Sequence, residues 1–256
     1  MASLVQDVWI GREPRLRARR LGTYDEAPVR VLFHLGLEET LEDREVATFL
    51  DTLGARVEVV ALEPRGQGGS GGRFGPEALD DLRAFAAAVP RRWPDGLPLV
   101  LAGHGVGACL CLAVAGDADV KGVVFLGPGA RTPAPPFLDS LDLAGRLAAL
   151  RVPLLAIDPR DAGVASPVGG LGGPESPPSS SDASEASDAG RAKASSDAFR
   201  CIGGAADSLR RPEMMAALRA QPLATLVVIP GDRRAALRSP WPEVVATWAA
   251  FVATAG

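Results

Sequence analysis

Apolar residues along this chain come in short runs separated by polar and glycine-rich stretches, and the runs follow two periods. In Leu16–Leu21 apolar and basic residues alternate, with Leu16 and Ala18 set between Arg15, Arg17 and Arg19. That period of two predicts a strand with unlike faces, and the arginines are expected on the solvent face of an edge strand. Val29–Leu35, Leu97–Ala102, Val120–Leu126, Val152–Ile157 and Ala224–Ile229 are further strand-length runs, and Val57–Leu62 is a β-branched run suited to a central strand. Helical spacing appears in Glu45–Leu53, in Glu77–Val89 with Pro76 preset near its first turn, and in the small-residue stretch Ala108–Ala115. It also appears in Trp241–Ala253, where Val245, Trp248 and Phe251 are expected on one buried side. Strands alternating with helices predict an α/β fold: a mostly parallel central sheet with helices on both faces.

One segment breaks this rhythm. From Gly163 to Ala198 the residues are mainly Ser, Gly, Pro, Ala and Asp. Such a composition cannot bury enough apolar surface to offset the entropy of ordering, so residues 163–198 are predicted to be a disordered insertion. The chain has 256 residues, 47% of them hydrophobic, enough for one large core, and 1–256 is expected to be a single domain around that insertion.

A net charge of −4 argues against a nucleic-acid or anionic-membrane partner, either of which calls for a basic face. Cys109, Cys111 and Cys201 form neither a disulfide framework nor a zinc pattern, and the first two are expected as buried small hydrophobes. No metal or cofactor is expected. Met1–Gly11 lacks the basic and apolar regions of a signal peptide, and no run reaches the ~18 apolar residues of a membrane span. The expected location is the cytoplasm.

The chemistry centres on Gly103-His-Gly-Val-Gly107, which follows an apolar strand and precedes the small-residue helix. In the G-x-S-x-G nucleophile elbow the middle serine sits on a strained strand-to-helix turn with its hydroxyl raised for attack. Here the outer glycines are present, and the middle position is Gly105. The same residues also fit G-x-G-x-x-A, a dinucleotide fingerprint, but the next strand ends in Leu126-Gly127 with no acidic ribose partner. No Gly-Lys-Ser/Thr follows either glycine-rich loop, which excludes a P-loop.

Taken in order, these landmarks resemble the α/β-hydrolase superfamily, in its serine aminopeptidase and monoacylglycerol lipase-like branch. Val31-Leu-Phe-His-Leu-Gly36 is similar to the strand and turn that line the oxyanion hole. Leu62-Glu-Pro-Arg-Gly-Gln-Gly-Gly-Ser-Gly-Gly72 is similar to the family's D-x-R-G-x-G-x-S-x-G turn, with Ser70 as a turn residue. Val152–Asp161 resembles the strand and loop that present the acid, and Val227–Arg234 those that present the histidine. The resemblance implies an α/β-hydrolase fold. It places the triad on Gly105, on Asp161 with Asp158 as the competing acid, and on Arg234 with Arg233 beside it. It places the oxyanion-hole region at Leu35, where the family has glycine, and at Val106. His104 takes the ordinary x position of the elbow, a structural place. Only Arg131–Leu150, with one short helix, is left for a cap, so the cap is expected to be minimal.

An arginine does not release its proton near neutral pH, so it cannot act as the base a serine needs. His34 is the one residual acid–base candidate. The expectation is a non-catalytic relative that binds a small molecule in the former cleft, or a protein partner. The alternative is an esterase, lipase or peptidase with non-standard catalytic residues. Asp161 and Arg234 are expected to form a salt bridge where the triad would have been.

Overall fold

The computed structural model describes residues 4–11, 13–22, 27–127, 135–160 and 212–254. The predicted insertion 163–198 lies outside the described residues. Eight strands form one sheet: β1 (Leu4–Ile10), β2 (Leu16–Gly22), β3 (Arg30–His34), β4 (Glu58–Leu62), β5 (Leu99–His104), β6 (Gly122–Leu126), β7 (Leu154–Arg160) and β8 (Ala224–Pro230). Their order is β1-β2-β4-β3-β5-β6-β7-β8. β1 and β2 pair antiparallel with each other, and β2 pairs antiparallel with β4. From β4 to β8 every pairing is parallel. This is the mostly parallel sheet that the alternation of elements predicts.

Helices α1 (Arg44–Gly54), α2 (Ala78–Arg92), α3 (Val106–Ala115), α4 (Leu143–Ala149), α5 (Pro212–Ala220) and α6 (Trp241–Thr254) connect and cover the strands. Side chains alternate along the strands, so the central strands feed both cores. Val31, Phe33, Val59, Ala61, Val100, Ala102 and Val124 join α1 and α6 in one core. Leu32, Val60, Leu62, Leu101, Val123 and Phe125 join α2, α3 and α4 in the other. All ten residues of α3 are buried, because Val-Gly-Ala-Cys-Leu-Cys-Leu-Ala-Val-Ala has no polar face to present to water. Cys109 and Cys111 lie fully buried there, and burial pushes both thiols well above their ordinary range.

Three expectations are corrected. The arginines of β2 do not line an edge, because β1 covers that side, with Asp7 opposite Arg19 and Val8 opposite Ala18. Arg17 and Arg19 are largely covered and bonded to Asp7, and both approach Glu42. Arg15 lies outside the strand and stacks over Trp9, 4.9 Å from the ring centre. In α6 the buried stripe is Pro242, Val245, Ala246, Ala249 and Val252, while Phe251 is 67% exposed. At 100° per residue Phe251 falls on the far side from that stripe, and Trp248 lies at its margin, half-buried. Finally, α2 runs through Pro90 to Arg92. A proline in the last turn removes one intrahelical bond, and the Trp93 N–H closes the helix onto the Val89 carbonyl at 3.0 Å.

Parallel strands bring their carboxyl ends to one side of a sheet, where α/β proteins place their ligands. The ends of β3, β4, β5, β6, β7 and β8 therefore collect nearly every residue singled out for chemistry.

Candidate functional site

β5 ends at His104, and Gly105 turns the chain into α3 with φ 57° and ψ −119°. A residue with a Cβ holds such a conformation only at a cost, which glycine avoids. The Gly105 N–H donates to the Leu126 carbonyl at 2.9 Å and anchors the turn on β6. The outer glycines serve close approach. A Cβ on Gly103 would sit 2.4 Å from the Gly107 carbonyl carbon, and one on Gly107 would sit 2.4 Å from the His34 carbonyl oxygen. Helix α3 can thus start directly against the ends of β3 and β5. Gly105 presents no side chain and is buried, as are Leu35, Gly36 and Val106 around it.

The turn after β3 is held by its own polar groups. His34 is buried, and its Nδ1–H donates to the Leu35 carbonyl at 2.7 Å. Burial lowers its pKa to about 4, so the ring is neutral at pH 7. The Leu35 N–H donates to the Leu62 carbonyl at 3.2 Å, extending the β3–β4 ladder past its last paired residues. The Gly36 N–H donates to Glu39 Oε2 at 2.7 Å, and Glu39 Oε1 lies 2.5 Å from His104 Nδ1. Glu39 and His104 are both completely buried. Glu39 went unnoticed in the sequence. The only local signal is an acidic pair, Glu38-Glu39, directly after His-Leu-Gly-Leu, and nothing local ties it to a histidine 65 positions away.

The glycine-rich turn after β4 is organised around a second buried carboxylate. Glu63 accepts the Leu41 N–H and the Gly69 N–H, each at 2.8 Å. Ser70 Oγ accepts the Arg17 N–H at 2.8 Å and donates to the Glu63 carbonyl at 2.8 Å, a structural role for the turn serine. Arg65 makes a bidentate pair with Asp81 of α2 at 2.5 and 2.6 Å. Both hold the turn in shape, and Glu63 also ties it to the segment leading into α1.

Of the positions that resemble the acid and the histidine, Asp161 lies outside the described residues, and so does its expected contact with Arg234. Asp158 is buried within β7. Arg234 belongs to a 3-10 turn, Arg233–Leu237, that follows β8. Its guanidinium reaches Asp43 Oδ2 at 2.8 Å and Glu45 Oε2 at 3.0 Å, both at the start of α1. Burial opposes its charge, but hydrogen bonds to Glu45 and Asp43 outweigh this and raise its pKa, with Glu39 adding to the effect. Arg238 takes the other oxygen of Glu45 at 2.9 Å. The structure therefore brings together Gly105, Val106, Leu35 and His34, while Arg234 is bonded to the start of α1.

Among the described residues no cluster of His, Cys, Asp and Glu could hold a metal ion, and no helix is long and apolar enough to cross a membrane. A groove of ≈ 570 Å³ opens at the other end of the sheet, near the start of β5, lined by Arg83, Pro90, Leu97, Val114, Asp117 and Lys121.

The profile of the family described as serine aminopeptidase, S33, matches residues 29–224. Among solved structures the chain is similar to the esterase Pf2001 of Pyrococcus furiosus, with a TM-score of 0.61 and 15% identity over 98% of this chain and 91% of that one. It is similar to TT1662 from Thermus thermophilus, with a TM-score of 0.64 and 18% identity over 100% of both chains. It is also similar to an alpha-beta serine hydrolase homologue from Coxiella burnetii, at 0.58 and 17% over 96% of each. At these identities the likeness establishes the fold. No curated protein matches the chain in sequence.

Proposed function

Because this chain belongs to the serine aminopeptidase, S33, family of α/β-hydrolases, we propose that it keeps the family's scaffold without its hydrolysis. It acts as a binding protein that takes a small molecule or a protein partner at the carboxyl end of its sheet. The observation that carries this reading is Gly105 at the elbow, in the backbone conformation where the attacking side chain is otherwise held. Acyl transfer needs a nucleophile and a base within hydrogen-bond reach of each other. Gly105 supplies no reacting atom. Arg234, at the position that resembles the histidine, stays protonated and is engaged by two carboxylates.

The remaining groups fit the same reading. His34 is neutral, but it is buried with its Nδ1–H already committed to a carbonyl. The Gly36 N–H is committed to Glu39, so a developing oxyanion there would meet a carboxylate in place of a donor. An intact oxyanion site without its triad retains roughly 10³–10⁴-fold catalysis over water, and these contacts remove part of that remnant as well.

Hydrolysis of a short-chain p-nitrophenyl ester tests the proposal. The wild type should show no turnover above the uncatalysed rate and no labelling by an active-serine probe. Gly105→Ser alone should add little, because no base stands beside it, and Gly105→Ser/Arg234→His should turn over measurably. Turnover by the wild type that disappears in His34→Ala would overturn the reading in favour of an esterase with non-standard residues.

A further inference from the structure

Strand β1 closes the sheet at the end away from β7 and β8, and among the described residues only β2 pairs with it. The neighbouring ladder shows which of its backbone groups face the open side. The Arg17 carbonyl accepts the Glu63 N–H at 3.0 Å and the Arg15 carbonyl accepts the Gly71 N–H at 2.9 Å, so the odd residues of β2 turn their backbone groups away from β1. The even residues Leu16, Ala18, Arg20 and Gly22 bond β1, at Ile10, Val8, Gln6 and Leu4. Val5, Asp7 and Trp9 therefore point their N–H and C=O groups outward. Their side chains share one face of the sheet, where Val5 is 55% and Trp9 42% exposed.

Edge strands are commonly blunted by lysine, proline or a bulge. β1 contains neither residue, and its register with β2 runs through Leu4–Ile10 without a bulge. Its one charge, Asp7, is compensated by Arg17 at 2.5 Å and Arg19 at 2.7 Å. Trp9 is held in place by Arg15, which stacks 4.9 Å from its ring centre.

We propose that β1 pairs antiparallel with β1 of a second copy of this chain, about a two-fold axis at Asp7. The strand is self-complementary in that register alone. Val5 of each copy lies opposite Trp9 of the other, a β-branched residue against an aromatic one, and the three outward-facing residues exchange about six backbone hydrogen bonds. A shift of two residues either way sets Asp7 opposite Val5 or Trp9 and leaves the other apolar residue beyond the end of the strand. The two Asp7 carboxylates meet at the axis, each between its own two guanidiniums. β1 runs in the direction of β4, so the pairing turns the two elbows toward opposite ends of the joined sheet. So short a contact stays below the about 1,200 Å² of a stable interface, and the dimer forms only at high concentration.

Sedimentation of the full chain tests this. The mass should rise from one chain at about 1 μM toward two at about 1 mM, the range a small interface allows. Val5→Pro removes an N–H that faces the open side and leaves the bonds to β2 intact, so it should raise the dissociation constant at least about tenfold with an unchanged far-ultraviolet spectrum. A single chain at every concentration would overturn the proposal, whether a strand of another protein or residues 161–211 take the edge. Self-association that Val5→Pro leaves untouched would overturn it as well.

Cross-linking tests the register without a proline. In a Cys201→Ser background, with Cys109 and Cys111 fully buried, Val5→Cys/Trp9→Cys should oxidise to a covalent dimer, because Cα atoms of a hydrogen-bonded pair lie about 5.5 Å apart. Val5→Cys alone should not, since the two copies of residue 5 are offset by about 13 Å along the strands. Equal cross-linking by the single and double variants, or none by either, would overturn the pairing.

Discussion

His34 shows how strongly one buried side chain ties this fold to pH. Its pKa falls from the ordinary 6.5 to about 4 because burial disfavours the imidazolium, and the Leu35 carbonyl offsets only part of this. The unfolded chain therefore binds the proton more readily than the folded one. The stability contributed by neutral His34 is complete above pH 6.5 and is lost as the pH falls toward 4 and below. The loss is roughly 3 kcal/mol when complete, at 1.36 kcal/mol per unit. Urea unfolding at pH 7 and pH 4.5 should show the wild type losing about 2–3 kcal/mol more than His34→Gln over that interval. Equal losses would mean that the ring is not held neutral by the fold. Gly105 is a different case, a residue whose meaning lies in its missing side chain. The strained turn costs of the order of 1–3 kcal/mol for a residue with a Cβ, and glycine avoids that cost.

Helix α1 is the element that meets the turn after β8, through Asp43 and Glu45 at its amino end. Val46, Phe49, Leu50 and Leu53 make its buried stripe, and Phe49 meets Phe33 of β3 with ring centres 5.2 Å apart. Its amino end carries two loads on one residue. The Asp43 side chain accepts the Glu45 N–H at 3.1 Å as an N-cap and also holds Arg234. The two loads separate by substitution. Asp43→Ala removes both and should cost about 1–2 kcal/mol in urea unfolding, whereas Asp43→Asn keeps an N-cap oxygen and should cost less than half as much. Equal costs would assign the stabilisation to the ion pair alone. Apolar spacing located α1 and α2 well, because a stripe every three to four residues is a local property. In α6 the same spacing put Phe251 inside. Three residues suited to a core, Val245, Trp248 and Phe251, do not decide which way a mostly apolar helix turns. The small residues Ala246 and Ala249 let it lie close to the sheet on the other side.

At the scale of the whole molecule the two ends of the sheet are built differently. The carboxyl end carries the elbow and the ion pairs of Arg234 with Asp43 and Glu45. At the other end Arg30 of β3 and Glu58 of β4 are directly paired in the ladder and both buried, with Arg20 on Glu58 at 2.7 Å and Asp95 on Arg30. Trp93 covers the group, with Arg20 4.6 Å and Arg30 5.6 Å from its ring centre. Breaking one partner of a buried pair costs about 3–5 kcal/mol, while replacing both by apolar residues of similar size is often close to neutral. Glu58→Met should therefore lose stability on that scale, and adding Arg30→Met should recover at least half of the loss in the same urea assay. A neutral Glu58→Met would show that Asp95 alone satisfies Arg30. Groups at this end bear on stability and leave the elbow untouched, so the two ends can be varied independently.

The sequence by itself determined the strand runs, the helical stripes, the order of the landmarks and the glycine at residue 105. Each of these depends on side-chain period or on one residue's conformational range, both of which are local. Seven of the eight strands were legible on those terms. β1 was not, because Leu4–Ile10 lacks a clean alternation and becomes a strand by pairing with β2. That pairing also turned the arginines of β2 from an expected edge into an inner strand. Only the tertiary structure decided that Glu39 meets His104, that the Gly36 N–H is already taken, and that Arg234 answers to Asp43 and Glu45 on α1. The physical reason is that a charge declares its type along the chain but not its partner. The partner is whichever complementary group the topology carries to within about 3 Å, in a buried place for Glu39 and a half-exposed one for Arg234.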